Sequence, residues 1–200
     1  MKFGIFGGTF NPIHNGHINI ALKIYDKFSL DKILFMPNKI PPHKNIKNVL
    51  DEKIRLDMIN IAIKNYEFLN IEDYELKKDN ISYTYESLEY LDRIYKGIEL
   101  FFIIGSDNFL NFDKWQKIER IFRSSNIVVY LREEAHKDRI IKIKERYEEL
   151  YKGKIYLLFD KIIDISSTEI REKIFNGDDI SNLVPKCVYE YIISKGLYRE

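Results

Sequence analysis

The stretch KFGIFGGTFNPIHNGH, residues 2–17, decides how the rest of the chain can fold. A short apolar run at 3–6 ends at two glycines, which is typical of a buried strand followed by a tight turn. Apolar residues then recur at helical spacing over 18–28. Asn15 is the expected N-cap of that helix, which places His17 in its first turn. The stretch therefore predicts a strand, a ligand-binding loop and the start of a helix.

The loop between this strand and helix has the chemistry of a phosphate site. Glycines such as Gly7 and Gly8 let the main chain approach a ligand closely, and the amide groups at a helix N-terminus attract anions. Neither the dinucleotide pattern G-x-G-x-x-G nor the P-loop pattern G-x-x-x-x-G-K-[ST] occurs here. The glycine loop alone is therefore a weak indication of function.

Bulk properties narrow the class of protein. A chain of 200 residues suits a single domain, 1–200, and its net charge of +1 offers no general attraction for nucleic acid or an anionic membrane. The single cysteine, Cys187, excludes an intramolecular disulfide and fits a reducing compartment. No apolar run approaches the roughly 18 residues of a membrane span. These features predict a soluble cytoplasmic protein with neither a nucleic-acid nor a membrane partner, and they leave open whether it forms a homo-oligomer.

Fully apolar runs that alternate with amphipathic helices indicate the fold class. Such runs are typical of parallel strands buried on both faces, so we expect an α/β, Rossmann-like, doubly wound sheet with helices on both faces. A small helical part closes the chain at about 166–200, with Pro185 in the first turn of the last helix. The predicted strands are 3–6, 32–36, 68–74, 100–104, 127–131 and 155–159, and the predicted helices between them include 51–64, 82–95 and 139–150.

A second motif, ISSTEIRE, lies close to the C-terminal part. Ser166 and Glu169 satisfy the capping-box pattern S-x-x-E, which by itself describes only a well-formed helix start. The capping box does not account for Ser167, Thr168 or Arg171. These residues would place two hydroxyls and a guanidinium on the first turn beside unpaired amide groups, which predicts a second anion site.

Together the two motifs resemble those of the nucleotidyltransferase superfamily that carries H-x-G-H after its first strand and S-S-T-x-I-R near its C-terminus. Ser166 follows His17 by 149 residues, and this pairing is much less expected by chance than either motif alone. The form G-G-T-F-[DN]-P-x-H-x-G-H is similar to bacterial-type nicotinate (nicotinamide) mononucleotide adenylyltransferases, with Asn11 where Asp is more usual. Further similar segments are Pro41-Pro42-His43-Lys44, Ser82-Tyr83-Thr84, and Gly105-Ser106-Asp107 followed by Trp115.

The resemblance implies that AMP is transferred from ATP to nicotinic acid mononucleotide, giving deamido-NAD and pyrophosphate. The attacking phosphate is already an anion near neutral pH, so the reaction needs positioning and charge neutralisation more than a base or a covalent intermediate. The resemblance implies His17 and His14 as catalytic residues. The implied ATP-binding residues are Gly7, Gly8, Thr9, Phe10, His14, His17, Gly105, Asp107, Ser167, Thr168 and Arg171.

The mononucleotide is expected to bind near Trp115, which offers a stacking face for the pyridine ring, although a packing role for this tryptophan is nearly as well supported. Tyr83 and Thr84 could position the carboxylate, unless they only begin a helix. Lys44, from a proline-rich loop, and Arg132, at a strand end, are weaker candidates for substrate phosphate. A preference for nicotinate over nicotinamide is not determined by these residues.

Mg²⁺ is the expected cofactor, carried on the phosphates of ATP rather than held by a dedicated protein site. A zinc site formed by His14, His17 and His43 is the alternative that bound metal would support. Two other functions stay open: phosphopantetheine adenylyltransferase, whose chain is usually shorter with T-x-G-H, and a nucleotide-binding sensor without turnover.

Overall fold

The strands all lie in one parallel sheet. A computed structural model describes residues 1–39, 49–78, 82–131, 136–159, 163 and 165–199. Within these residues the strand order is β3-β2-β1-β4-β5-β6, and every neighbouring pair is parallel. The strands are β1 (Lys2–Gly8), β2 (Lys32–Pro37), β3 (Leu69–Ile71), β4 (Glu99–Gly105), β5 (Asn126–Tyr130) and β6 (Ile155–Leu158).

Helices cover both faces of this sheet. One apolar cluster joins the sheet to α1, α2, α7 and α8, and a second joins it to α3, α4, α5 and α6. The C-terminal helices therefore share the core that contains the first helix. The bounds are α1 (Asn15–Phe28), α2 (Glu52–Ile63), α3 (Thr84–Ile94), α4 (Ser106–Phe109), α5 (Ile118–Ser124), α6 (Lys137–Tyr151), α7 (Ser167–Asn176) and α8 (Lys186–Lys195).

The apolar strands divide their side chains between the two clusters. In β4, Leu100, Phe102 and Ile104 belong to one cluster, and Phe101 and Ile103 belong to the other. Successive side chains of a strand point to opposite faces, so a strand covered on both faces must be apolar throughout. The prediction of a doubly wound α/β fold is confirmed.

The strand order reverses beside β1, and this position creates the cleft. β1 pairs with β2 on one side and with β4 on the other, while the connections that follow β1 and β4 run to opposite sides of the sheet. Ligands in such sheets bind in the crevice outside the carboxyl ends of the strands at this switch point. The loop after Gly8 and the segment after Gly105 both begin there.

Three local predictions were wrong. The N-cap of α1 is His14, whose backbone is extended and whose amide donates to the His17 side chain. The Asn15 side chain instead donates to the Asn182 carbonyl at 3.0 Å and ties α1 to the C-terminal part. The third strand is shorter than predicted, since residues after Ile71 leave the sheet and Tyr74 stacks on Tyr90 of α3 with ring centroids 3.8 Å apart. Pro185 precedes α8 as its N-cap rather than lying in its first turn.

Candidate active site

A cleft of about 880 Å³ opens at the carboxyl ends of β1 and β4. The first turns of α1 and α7 both contribute to its wall, so two helix N-termini face one cavity. The amide groups and dipoles of both ends favour bound negative charge. Most of the predicted ATP-binding residues line this cleft: Gly7, Gly8, Thr9, Phe10, His14, His17, Gly105, Ser167, Thr168 and Arg171.

Phe10 anchors the loop after β1 to the core. This residue has φ = 47°, in the left-handed region that non-glycine residues rarely adopt. Its ring is only 2% exposed and packs edge-on against Phe35 and His17, with centroids 5.4 Å and 5.0 Å away. Burial of the ring holds the strained backbone in place. Phe10 therefore offers a ligand mainly its main chain.

The two histidines form one stacked unit. Their ring centroids are 3.6 Å apart with planes at 27°, and the His14 amide donates to Nδ1 of His17 at 3.2 Å. Because Nδ1 of His17 accepts this bond, the neutral ring carries its proton on Nε2. A side chain at Gly16 would crowd this stack, since a Cβ there would lie 3.0 Å from Nδ1 of His14 and from the Ile163 carbonyl oxygen. His17 thus presents an oriented ring with Nε2–H as its donor.

The second motif lies directly against the loop. The Ser166 hydroxyl accepts from the Glu169 amide at 3.1 Å, which is the N-cap half of the predicted capping box. The Ser167 hydroxyl donates to the Pro12 carbonyl at 2.9 Å. Arg171 donates from Nη1 to the Asn11 carbonyl at 2.8 Å and from Nη2 to the Thr168 hydroxyl at 3.1 Å. Residues from opposite ends of the chain therefore form one continuous wall.

The predicted pyridine-binding residues also line the cleft. Tyr83 and Thr84 line it at the start of α3, together with Trp115. The Trp115 ring also contacts Phe112 and Phe102 edge-on, at centroid distances of 5.0 Å and 6.1 Å. This tryptophan therefore both packs on the core and faces the cleft.

One predicted site residue is not part of this wall, and two others lie outside the part of the chain that the structure describes. Asp107 is exposed in α4 and does not line the cleft, whereas the adjacent Asn108 does. Lys44 and Arg132 lie outside the described residues. Their roles stay predictions.

Comparison with known proteins identifies the family. The cytidylyltransferase-like family model matches residues 5–173. Proteins of Clostridium tetani and Clostridium acetobutylicum, both named probable nicotinate-nucleotide adenylyltransferase, are each 43% identical to this chain; the alignments cover 99% and 98% of both chains, respectively. The chain belongs to the nicotinate-nucleotide adenylyltransferase family.

A solved structure supports the fold. Plasmodium falciparum nicotinic acid mononucleotide adenylyltransferase, complexed with NaAD, superposes with a TM-score of 0.80 and covers 98% of this chain and 97% of its own. Its sequence is 21% identical, so the comparison shows the architecture alone. Among the described residues, no helix is long and apolar enough to cross a bilayer.

Sequence reasoning missed a buried arginine behind the loop between β1 and α1, residues 9–14. Arg55 of α2 is 1% exposed and donates to the carbonyls of Thr9 at 2.7 Å and Leu50 at 3.0 Å, while Nη2 lies 3.5 Å from the Lys39 carbonyl. These carbonyls belong to the loop and to the two flanks of residues 40–48. Arginine stays charged when buried, so a fixed positive charge also lies behind the loop that carries the first motif.

A second missed residue is Glu75, a carboxyl group in the cleft wall. It is 6% exposed and accepts from the Ser87 hydroxyl of α3 at 2.7 Å. Burial raises the pKa of Glu75 to about 6, against smaller opposing effects of Ser87 and Lys78 and a small raising effect of Glu86. In the sequence, Glu75 lies in a polar stretch, and nothing local marks it as buried.

Replacing Glu75 with glutamine is expected to stabilise the protein at neutral and higher pH. The folded pKa of about 6 exceeds the ordinary value of 4.5, so the ionised form disfavours folding and this cost disappears as pH falls through that window. The shift corresponds to about 2 kcal/mol in the free energy of unfolding. Urea unfolding of both proteins at about pH 8 and about pH 4.5 should show a stabilisation only at the higher pH.

Glu86→Gln is the matched control for this prediction. Lys78 lowers the pKa of Glu86, so its ionised form favours folding and the substitution should act in the opposite direction above the ordinary pKa. A Glu75→Gln variant no more stable than wild type at the higher pH would show that the Glu75 carboxylate is adequately solvated.

Proposed function

We propose that this protein transfers AMP from ATP to nicotinic acid mononucleotide, producing deamido-NAD and pyrophosphate. The main observation behind the proposal is that the two motifs lie together in the fold. His17 at the start of α1 and Arg171 of α7 line one cleft at the β1/β4 switch point. The names of the clostridial relatives support the choice of the nicotinate substrate.

In the proposed reaction, a phosphate oxygen of the mononucleotide attacks the α-phosphorus of ATP. A bond forms between that oxygen and the α-phosphorus. At the same time the bond breaks between the α-phosphorus and the oxygen that bridges to the β-phosphate, and pyrophosphate leaves with the electron pair of that bond. No proton needs to be removed from the nucleophile near neutral pH. Catalysis therefore comes from holding two anions in line and stabilising charge on the phosphoryl oxygens.

The residues of the cleft suit these tasks. Nε2–H of His17 donates to the α-phosphate, where charge increases in the transition state. Arg171 uses two of its nitrogens to bind the Asn11 carbonyl and the Thr168 hydroxyl, and a guanidinium has five N–H donors in all. Its remaining donors, together with the first turn of α7, would bind the β- and γ-phosphates. Trp115 and the start of α3 would hold the mononucleotide.

We propose that Mg²⁺ enters as its complex with ATP. Within the described residues there is no group of three His, Cys, Asp or Glu side chains placed to hold a metal. In such a complex the ion is held mainly by phosphate oxygens and water. When bound, Mg²⁺ neutralises part of the charge on the phosphates.

The single cysteine also leads us to propose a cytoplasmic location.

Pyrophosphate release tests the proposed function directly. The purified protein is mixed with Mg-ATP and, separately, with nicotinic acid mononucleotide, nicotinamide mononucleotide or phosphopantetheine. We expect release with the first, and a weaker response or none with the others. Release only with phosphopantetheine would replace the proposed acceptor, and ATP binding without release in any mixture would favour a sensor.

A further inference from the structure

The segment after α8 contacts the loop between β1 and α1. The Tyr198 hydroxyl donates to Oδ1 of Asn11 at 2.9 Å, and the same oxygen accepts from the Leu50 amide at 3.2 Å. The main-chain carbonyl of Asn11 in turn accepts from Nη1 of Arg171. Asn11 is 3% exposed and lines the cleft. One loop residue therefore connects three segments that are distant in sequence.

The backbone around Tyr198 is shaped for this contact. Gly196 ends α8 in the left-handed region, and Tyr198 itself has φ = 64°, which a side chain disfavours. A conformation of this kind persists when surrounding contacts determine it. Burial raises the pKa of the Tyr198 phenol well above its ordinary value, against smaller lowering effects of Arg171 and Arg55. The hydroxyl is therefore a permanent hydrogen-bond donor at any working pH.

We propose that Tyr198 is a positioning residue for AMP transfer: by holding Asn11 it sets the loop carbonyl that orients the Arg171 guanidinium toward the triphosphate. The inference rests on the proposed function. Tyr198 does not line the cleft and touches no substrate in this arrangement. Its effect passes through two hydrogen bonds, from its hydroxyl to Asn11 and from Arg171 to the Asn11 carbonyl.

Tyr198→Phe isolates this effect because the ring is kept and only one hydrogen bond is lost. Asn11 keeps the Leu50 amide as a donor, so the loop should stay folded with more freedom for its side chain. The expected loss is about three- to tenfold in kcat/KM for ATP, the range for one net hydrogen bond. The KM for the mononucleotide should stay within about twofold, since the residues proposed to hold it, Trp115 and the start of α3, lie on other segments than Asn11.

Tyr191→Phe is the matched control. Tyr191 lies on α8 and donates its hydroxyl to Asp57 of α2 at 3.0 Å, outside the cleft. The Tyr191→Phe variant therefore also loses one hydrogen bond that a tyrosine hydroxyl donates from the C-terminal part to the rest of the fold. We expect its kcat/KM for ATP to match that of wild type.

A double-mutant cycle with Asn11→Ala tests the route of the effect. Once the Asn11 side chain is absent, Tyr198→Phe should cause no further loss in kcat/KM for ATP. Wild-type activity in Tyr198→Phe, an equal loss in Tyr191→Phe, or independent losses in the cycle would each overturn the inference.

If wild type itself releases no pyrophosphate, the proposed function fails. The affinity of each variant for ATP, measured by calorimetry, then tests whether Tyr198 positions the phosphate site.

Discussion

His17→Ala is expected to lower kcat by about 10²–10³-fold, the range seen when one preorganised donor to a developing charge is removed. Nδ1 of His17 already accepts from the His14 amide, so the ring can donate only through Nε2. Alanine removes that donor from the α-phosphate in the transition state. The KM for ATP should change far less, because the other phosphates keep their partners. Steady-state pyrophosphate release measures both parameters.

Two controls separate this effect from misfolding. The His17 ring packs against Phe10 and Phe6, so thermal unfolding of the variant must show that the fold persists at the assay temperature. His136 is an exposed histidine that precedes α6, outside the cleft, and His136→Ala should have wild-type kinetics. A folded His17→Ala variant with near-normal kcat would remove His17 from the mechanism.

Arg171→Ala is expected to lower kcat/KM for ATP by about 100-fold, because a charge-assisted contact to phosphate is lost and the Asn11 carbonyl loses its donor. Arg171→Lys should recover only part of this loss. An ammonium group carries the charge but cannot reproduce the fork that binds the Asn11 carbonyl, the Thr168 hydroxyl and a phosphate together. Titration of ATP at saturating mononucleotide measures the loss.

The specificity of the Arg171 effect can be checked on the same helix. Lys173 lies two residues later in α7 and does not line the cleft, so Lys173→Ala removes a cation without removing a phosphate contact. It should keep wild-type kinetics. If Arg171→Ala instead raised the KM of the mononucleotide and left ATP unaffected, Arg171 would belong to the acceptor site.

The fold was predictable because its signals are local. A parallel strand covered on both faces must be apolar throughout, and runs such as 100–104 and 127–131 show this directly. The N-cap bond at Ser166 was predictable for the same reason, since the Ser166 hydroxyl and the Glu169 amide lie three residues apart. The N-cap of α1 was mispredicted by one residue, and the Asn15 side chain has a partner in a distant segment, the Asn182 carbonyl.

The two motifs could be paired from the sequence only through a family resemblance. Nothing local in residues 2–17 shows that Arg171 will donate to the Asn11 carbonyl. Similarly, the sequence indicated two hydroxyls on the first turn of α7, but only the structure shows that the Ser167 hydroxyl binds the Pro12 carbonyl.

By itself, then, the sequence determined the strand–loop–helix unit, the alternation of strands and helices, and the residue types that we propose bind phosphate. Only the tertiary structure decided which groups support that site from behind. Arg55 reaches the Thr9 carbonyl across 46 positions, and Tyr198 reaches Asn11 across 187. The physical reason is that local patterns report burial and backbone preference, whereas the partner of a buried polar group depends on which segments the packed sheet brings together.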